Sequence, residues 1–273
     1  MKNITLNFIS GAEPFFFSGG RVGCLCLHGL SASPQEVYWL GKHMAAAGFT
    51  VLGPRLFGHG TQAEDLYRAR WRDWYYSALD GYHILRQMCD AVFVMGLSMG
   101  GITTLKIAAE QDVAGAVVLG APLRFGRSLA LAHYIKYFKP NMGKSNREDD
   151  PLHARIIELQ KQRGERVTGR AAYYRQEMNA VAELHKYTAE VATSLHKITA
   201  PVMLVYSPKD EIVPIENVKR IQMGLTHAAY VETLIVHNSG HILTNDVDHE
   251  QVFAGVEAFV KKVVQDAGEK KTG

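Results

Sequence analysis

Cysteine is scarce in this chain: three among 273 residues, at 24, 26 and 89. An odd, low count provides no disulfide framework and fits a reducing compartment. No apolar run reaches the length near 18 that a membrane span needs. The N-terminal apolar residues are interrupted by Asn7 and Ser10, which argues against a secretory signal. A cytoplasmic location is the expectation, and the glycosylation match at Asn3-Ile4-Thr5 then carries no meaning. Charge of one sign is also lacking. A net charge of +3 is too small to recommend nucleic acid or an anionic membrane as a partner, and Lys261, Lys262, Lys270 and Lys271 read as a solvated helix end. Internal repeats and low-complexity segments are absent. With 47% hydrophobic and 21% charged residues, the chain can bury a sizeable core. Nothing in the sequence sets an oligomeric state or calls for a cofactor or metal.

What is present is alternation. Short apolar runs at Val22–Leu27, Phe49–Leu52, Ala91–Met95, Ala116–Leu119, Val202–Tyr206 and Tyr230–Val236 are near-continuous, as in strands covered on both faces. Helical patterns lie between and after them at about 35–47, 72–88, 99–111, 214–224 and 248–264. This predicts an α/β fold with a mostly parallel sheet and helices on both faces. From about 124 to 185 no strand is evident and polarity rises. The segment is too long for one crossover helix, so it predicts an inserted helical cap, leaving 1–123 and 186–273 as the core. Tyr134, Tyr137, Phe138, Tyr173 and Tyr174 are expected on its helices, lining an apolar acyl pocket. Arg147–Asp150 is its most charged and least committed stretch.

The segment Val22–Gly29 places Cys24, Cys26 and His28 at alternate positions, like soft metal ligands. On an extended chain Cys24 and His28 stand about 13 Å apart, too far to share one ion at about 2.0–2.3 Å. The cysteines read instead as small apolar core residues.

Gly96-Leu97-Ser98-Met99-Gly100 follows an apolar strand and opens a helix. A serine on such a sharp turn needs flanking glycines to avoid clashes, and the turn lifts its hydroxyl above the C-terminal edge of the sheet. The helix N-terminus behind it offers free N–H groups to an oxyanion. A serine nucleophile needs a base and an orienting acid. Among twelve histidines, His241 lies on the loop after the strand ending near Val236. His237 belongs to the strand end, His227 lies at the wrong end of the sheet, and His249 starts the last helix. Asp210 follows another strand end, with Glu211 beside it. Asp246 and Asp248 are expected to cap the last helix.

Together these residues resemble the α/β-hydrolase superfamily, and more narrowly the small bacterial carboxylesterases and monoacylglycerol lipases with a helical cap. The resemblance runs from Pro14 to about residue 265. It is carried by His28-Gly29, Arg55-Leu56-Phe57-Gly58-His59-Gly60, Asp73-Trp74, Gly96 to Gly101, Asp210 to Pro214 and Ser239-Gly240-His241, with Pro14 to Phe17 similar as well. It implies Ser98 as nucleophile, His241 as general base and then acid, Asp210 as its orienter, and an oxyanion hole from the backbone N–H groups of Leu30 and Met99. His59 would brace the loop beside the site. The family usually has proline where Phe57 stands. The implied reaction is hydrolysis of short- to medium-chain esters or monoacylglycerols, with no metal and no cofactor. Carbon–carbon bond hydrolysis, acyl transfer and peptide hydrolysis can use the same triad, and a ligand-binding receptor can use the same scaffold. Serine rather than aspartate at 98 disfavours haloalkane dehalogenase and epoxide hydrolase chemistry.

Overall fold

The computed structural model describes residues 8–125, 141–143 and 147–272. Tyr134, Tyr137 and Phe138 lie outside the described residues. The main sheet has seven strands: β1 (Phe15–Phe17), β2 (Val22–Leu27), β3 (Thr50–Gly53), β4 (Ala91–Leu97), β5 (Gly115–Leu119), β8 (Val202–Tyr206) and β9 (Val231–Ile235), in the order β1-β3-β2-β4-β5-β8-β9. Every pairing is parallel except that of β1 with β3. The helices are α1 (Gln35–Ala46), α2 (Ala63–Arg68), α3 (Trp71–Met88), α4 (Met99–Glu110), α5 (Pro151–Gln162), α6 (Met178–Ala192), α7 (Asn217–Gly224) and α8 (His249–Thr272).

Each central strand divides its side chains between two cores. Leu25 and Leu27 of β2 pack with residues of α3, α4 and α6, while Cys24 and Cys26 pack with those of α1 and α8. The period of two along a strand sorts them this way. Both cysteines are completely buried, and burial pushes the Cys24 and Cys26 thiols well up from their ordinary range. They serve as apolar packing. On α8, Val252, Phe253, Val256, Phe259, Val260 and Val263 are buried at helical spacing and turn one stripe toward the sheet. β1 is an edge strand with Phe15 buried and Phe16 exposed. Three residues with one covered face leave too little pattern to read as a strand.

The region between β5 and β8 is richer than expected. β6 (Asn141–Gly143) and β7 (Arg175–Glu177) form a two-stranded antiparallel ribbon where no strand was evident, again because three residues carry no readable period. Asp150 is not loose: its Oδ1 accepts from Leu152 N–H at 3.0 Å and caps α5, with Pro151 as the first helical residue. Tyr173 and Tyr174 lie on irregular chain just before β7 rather than on a helix. The expected boundary at 185 falls inside α6, whose Leu184, Tyr187 and Val191 join the core beneath β4 and β5.

Strand register places the site. Leu27 is opposite Gly96, Leu97 is opposite Leu119, and Tyr206 is opposite Ile235. The loops after β2, β4, β5, β8 and β9 therefore leave along one C-terminal edge. β2 lies between β3 and β4, so the chain departs from β2 in one direction and returns on the other. That is the switch point at which such sheets bind ligands.

Candidate active site

Ser98 occupies the turn between β4 and α4 with φ 57° and ψ −115°. This is a left-handed conformation that costs a non-glycine residue on the order of 1–3 kcal/mol. The surroundings hold it there: Ser98 N–H donates to Leu119 O at 2.8 Å, and Ser98 O accepts from Ile102 N–H at 3.1 Å. The flanking glycines are needed for a plain steric reason. A Cβ on Gly96 would stand 2.3 Å from the carbonyl of Gly100, and one on Gly100 would stand 2.2 Å from Leu27 O. The turn thus packs backbone against backbone.

His241 and Asp210 meet at the same edge. The Nδ1–H of His241 donates to Asp210 Oδ2 at 2.7 Å, and Asp210 Oδ1 accepts from Ile212 and Val213 N–H at 2.8 Å each. Both carboxylate oxygens are therefore engaged, which fixes the acid and leaves Nε2 as the reactive nitrogen of His241. The pair sits over Gly120 (φ 51°), where a Cβ would lie 3.5 Å from Asp210 Oδ2 and 3.6 Å from His241 Nδ1. Gly120 follows Leu119, the acceptor of the Ser98 amide. Among the described residues the Ser98 hydroxyl has no hydrogen-bond partner within 3.5 Å. Such contacts are often long before substrate arrives.

The rival residues are placed elsewhere. His237 is exposed past the end of β9, and His227 bonds to His196 O. His249 opens α8 and contacts Asp246 O and Arg163. Glu211 is exposed. Asp246 and Asp248 do something other than cap α8 with their side chains. Asp248 Oδ2 accepts from Asn238 N–H at 2.7 Å and Ser239 N–H at 2.9 Å, and Asp246 Oδ2 accepts from Gly240 N–H at 2.7 Å. The main chain of Asp248 begins the helix, with its carbonyl accepting from Val252 N–H, but both carboxylates turn back to hold the loop carrying His241. Sequence spacing could not separate these roles, because a carboxylate before a helix can cap it or fold back.

On the opposite side lies the loop after β2. Gly29 N–H is occupied, donating to the buried Glu36 Oε2 at 2.7 Å. Leu30 N–H and Met99 N–H have no acceptor among the described residues; for Met99 this follows from its place at the helix start. The position of a Cβ on Gly29 would fall 3.4 Å from Ser98 Cβ, so this loop borders the serine. His28 is fully buried, donating from Nδ1 to Gly29 O at 2.9 Å and accepting from Leu56 N–H at Nε2, 3.2 Å. That pairing demands the neutral Nδ1–H tautomer. Burial, then neighbouring His59, drives the His28 pKa well down. His59 packs its ring edge-to-face on His28 at 4.9 Å between centroids and donates to Phe57 O. Burial pushes it down to about 4. His59 thus packs between His28 and Trp74 and braces the loop, and no hydrogen bond joins it to Ser98, Asp210 or His241 among the described residues. Phe57, where a proline is usual, uses the N–H a proline lacks to reach Ser77 Oγ at 3.2 Å.

Two further surfaces flank the serine. Leu30 packs against Met178 and Val181 at the start of α6, forming a small apolar wall over the β2 loop. Beside His241 opens a cleft of about 440 Å³ that includes Asp150, Arg155, Glu211 and Asp246. Its lining mixes these charged groups with Pro151, Leu152 and Ile242, and Tyr173 points its hydroxyl into the loop at Gly58.

Comparison with known proteins agrees with this geometry. A family model described as serine aminopeptidase, S33 matches residues 21–248. A thermostable monoacylglycerol lipase of Bacillus sp. (strain H-257) is 31% identical over 258 residues, covering 93% of this chain and 96% of that protein. A carboxylesterase of Bacillus subtilis (strain 168) is 25% identical, covering 92% and 97% respectively. A solved structure from work on LipS and LipT, two metagenome-derived lipolytic enzymes, aligns with a TM-score of 0.81 at 28% identity, covering 94% of this chain and all of that one. With a serine on a strand-to-helix turn, a hydrogen-bonded histidine–aspartate pair and a matching fold over nearly its whole length, the chain belongs to the S33 serine aminopeptidase family of α/β hydrolases.

Proposed function

We propose that this protein is a serine hydrolase of carboxylic esters, acting on short- to medium-chain acyl esters or monoacylglycerols through an acyl-enzyme. The observation that carries the reading is the 2.7 Å His241–Asp210 bond on the sheet edge where Ser98 stands in its strained turn. Two relatives similar to this chain over more than nine-tenths of both lengths are named as a monoacylglycerol lipase and a carboxylesterase, which favours ester over peptide as the scissile bond. Small-molecule ester is the corresponding substrate class. Among the described residues no helix is long and apolar enough to cross a membrane.

In this mechanism Ser98 Oγ attacks the acyl carbon while its proton passes to His241 Nε2. The carbonyl electron pair moves onto oxygen, which the N–H groups of Leu30 and Met99 receive. Asp210 holds the imidazole in the required tautomer and stabilises its positive charge. Collapse of the tetrahedral intermediate expels the alcohol, which takes the proton from His241. Water then enters, loses a proton to His241 and attacks the acyl-enzyme, releasing the acid and restoring Ser98. An acyl chain lies over Leu30, Met178 and Val181, and the alcohol leaves toward the charged cleft beside His241. The segment 124–185 serves as the cap, with α6 as the element that joins it to the core at 186.

A chain-length series of p-nitrophenyl esters and monoacylglycerols, run with wild type and Ser98→Ala, tests the reading. Turnover that vanishes in the variant supports it. Turnover retained by Ser98→Ala, or absent from the wild type on every ester, removes it.

A further inference from the structure

The loop that presents Leu30 is held from above as well as from below. Ser31, the next residue, has φ 62°, a left-handed conformation that a serine adopts only where its surroundings enforce it. The enforcing contacts come from a short irregular segment, residues 169–173, that lies across the loop. Tyr173 N–H donates to Ser31 O at 2.8 Å, and Ser33 Oγ donates to Ala171 O at 2.7 Å. Gln35 accepts from Ala171 N–H at 2.7 Å and donates to Gly169 O at 2.7 Å. The far end of Tyr173 is anchored in turn. Its buried hydroxyl donates to Gly58 O at 2.9 Å and accepts from Thr61 N–H at 3.0 Å. Tyr173 therefore ties the loop after β2 to the loop carrying His59.

We propose that Tyr173 and Ser33 are positioning residues of the oxyanion hole. The strap they fasten holds Ser31 in its left-handed conformation, and that conformation aims the Leu30 N–H at the developing oxyanion. The peptide plane carrying Ser31 N and Leu30 O sits between two fixed points. Gly29 is held by Glu36 from the core, and Ser31 O is held by Tyr173 from the strap. Release of the upper point lets Ser31 relax toward negative φ, which rotates the backbone beside it and swings the Leu30 amide. The assignment rests on the ester-hydrolase reading, in which Leu30 supplies an oxyanion donor.

The test compares wild type with Tyr173→Phe, Ser33→Ala and Ser33→Thr. The readouts are kcat and KM on a p-nitrophenyl ester, inhibition by an alkyl trifluoromethyl ketone, and Tm. Tyr173→Phe keeps the ring and removes only the anchor, and Ser33→Ala removes the contact at the other end of the strap. Each is expected to lower kcat about tenfold, a part of the ~10²–10³ lost when an oxyanion donor is removed outright. KM stays within about twofold, because the donor acts in the transition state. Affinity for the ketone, whose hemiketal oxyanion occupies the hole, weakens by the same factor as kcat/KM. Ser33→Thr, which keeps the hydroxyl, restores both. Unchanged kcat in Tyr173→Phe and Ser33→Ala overturns the proposal. So does a fall in Tm and kcat with ketone affinity retained, which marks a purely structural strap. Absence of Ser98-dependent turnover in the wild type is a different result: it overturns the hydrolase reading and, with it, the oxyanion assignment.

Discussion

Glu36 places a buried carboxylate oxygen 2.7 Å from the amide nitrogen of Gly29, so the residue preceding Leu30 is bonded to the first turn of α1. A buried N–H needs an acceptor, and leaving one unmade costs about 1–3 kcal/mol. In Glu36→Ala that cost falls on Gly29. The expected outcome is a loss of roughly that size in urea unfolding, together with a lower kcat. Glu36→Gln keeps an acceptor oxygen and retains most of both. Equal loss in the two variants would mean that charge, and not the hydrogen bond, is what matters at this position.

Side chains at the glycines of the serine turn have no room against the surrounding backbone. In Gly100→Ala the new Cβ meets Leu27 O at 2.2 Å, and in Gly96→Ala it meets Gly100 at 2.3 Å. In both pairs the opposing atoms are backbone and cannot swing aside. Each substitution is expected to abolish ester turnover and to lower Tm by several degrees, as a core change of about 1–3 kcal/mol does. Gly268→Ala, where nothing lies within 4 Å of the added carbon, leaves activity intact. Parallel thermal melts and initial rates on the three variants provide the check.

Stability should fall as the solution is acidified through the histidine range. His59 titrates at about 4 in the folded protein because it is buried, against about 6.5 in an unfolded chain. Between these values the unfolded state binds more protons than the folded one, so stability rises with pH. It is complete above about 6.5 and lost progressively down to about 4, a total of about 3 kcal/mol for this one group. His28, driven down in the same direction, steepens the slope. Urea midpoints at pH 7 and pH 4.5 for wild type and His59→Asn test this. The variant keeps a donor for Phe57 O and should show the shallower pH dependence.

Asp248 offers a test of what its carboxylate holds. If it only capped α8, Asp248→Ala would lower Tm and spare kcat. Because the side chain binds Asn238 and Ser239, three and two residues from His241, kcat is expected to fall about tenfold with it. That is the scale on which small misplacements of catalytic groups act. Labelling of Ser98 by a fluorophosphonate should slow in proportion.

Much of this was legible in the chain because the informative signals are local. In Gly96-x-Ser98-x-Gly100 the demand on Gly96 comes from Gly100 four residues on and is legible locally, while the demand on Gly100 comes from Leu27 O of β2 and is set by the sheet. The positions of Asp210 and His241 follow from counting past the ends of apolar runs, whereas Leu30 comes only from the family resemblance that His28-Gly29 helps to carry. Strands such as β2 and β8 were readable because burial on both faces makes them continuous in apolar residues. β1, β6 and β7 were not, being three residues long. The helices α5 and α6 carry mixed faces, so no single periodicity stood out over the charged stretch between β5 and β8, and α2, six residues long, is too short to show one.

By itself, then, the sequence determined the strands covered on both faces, the serine turn, and the placement of Ser98, Asp210 and His241 just past strand ends at one edge of the sheet. Each of these depends on neighbours in the chain or on which end of a strand a residue follows. Only the tertiary structure decided how the site is held: Glu36 on Gly29, Asp248 on the His241 loop, and Tyr173 and Ser33 across the oxyanion loop, with Ser33 bonded to a carbonyl 138 residues away. A carboxylate or hydroxyl has many possible partners in a chain of this length. Which one it takes is set by the packing that brings distant backbone within about 3 Å, and no local pattern records that distance.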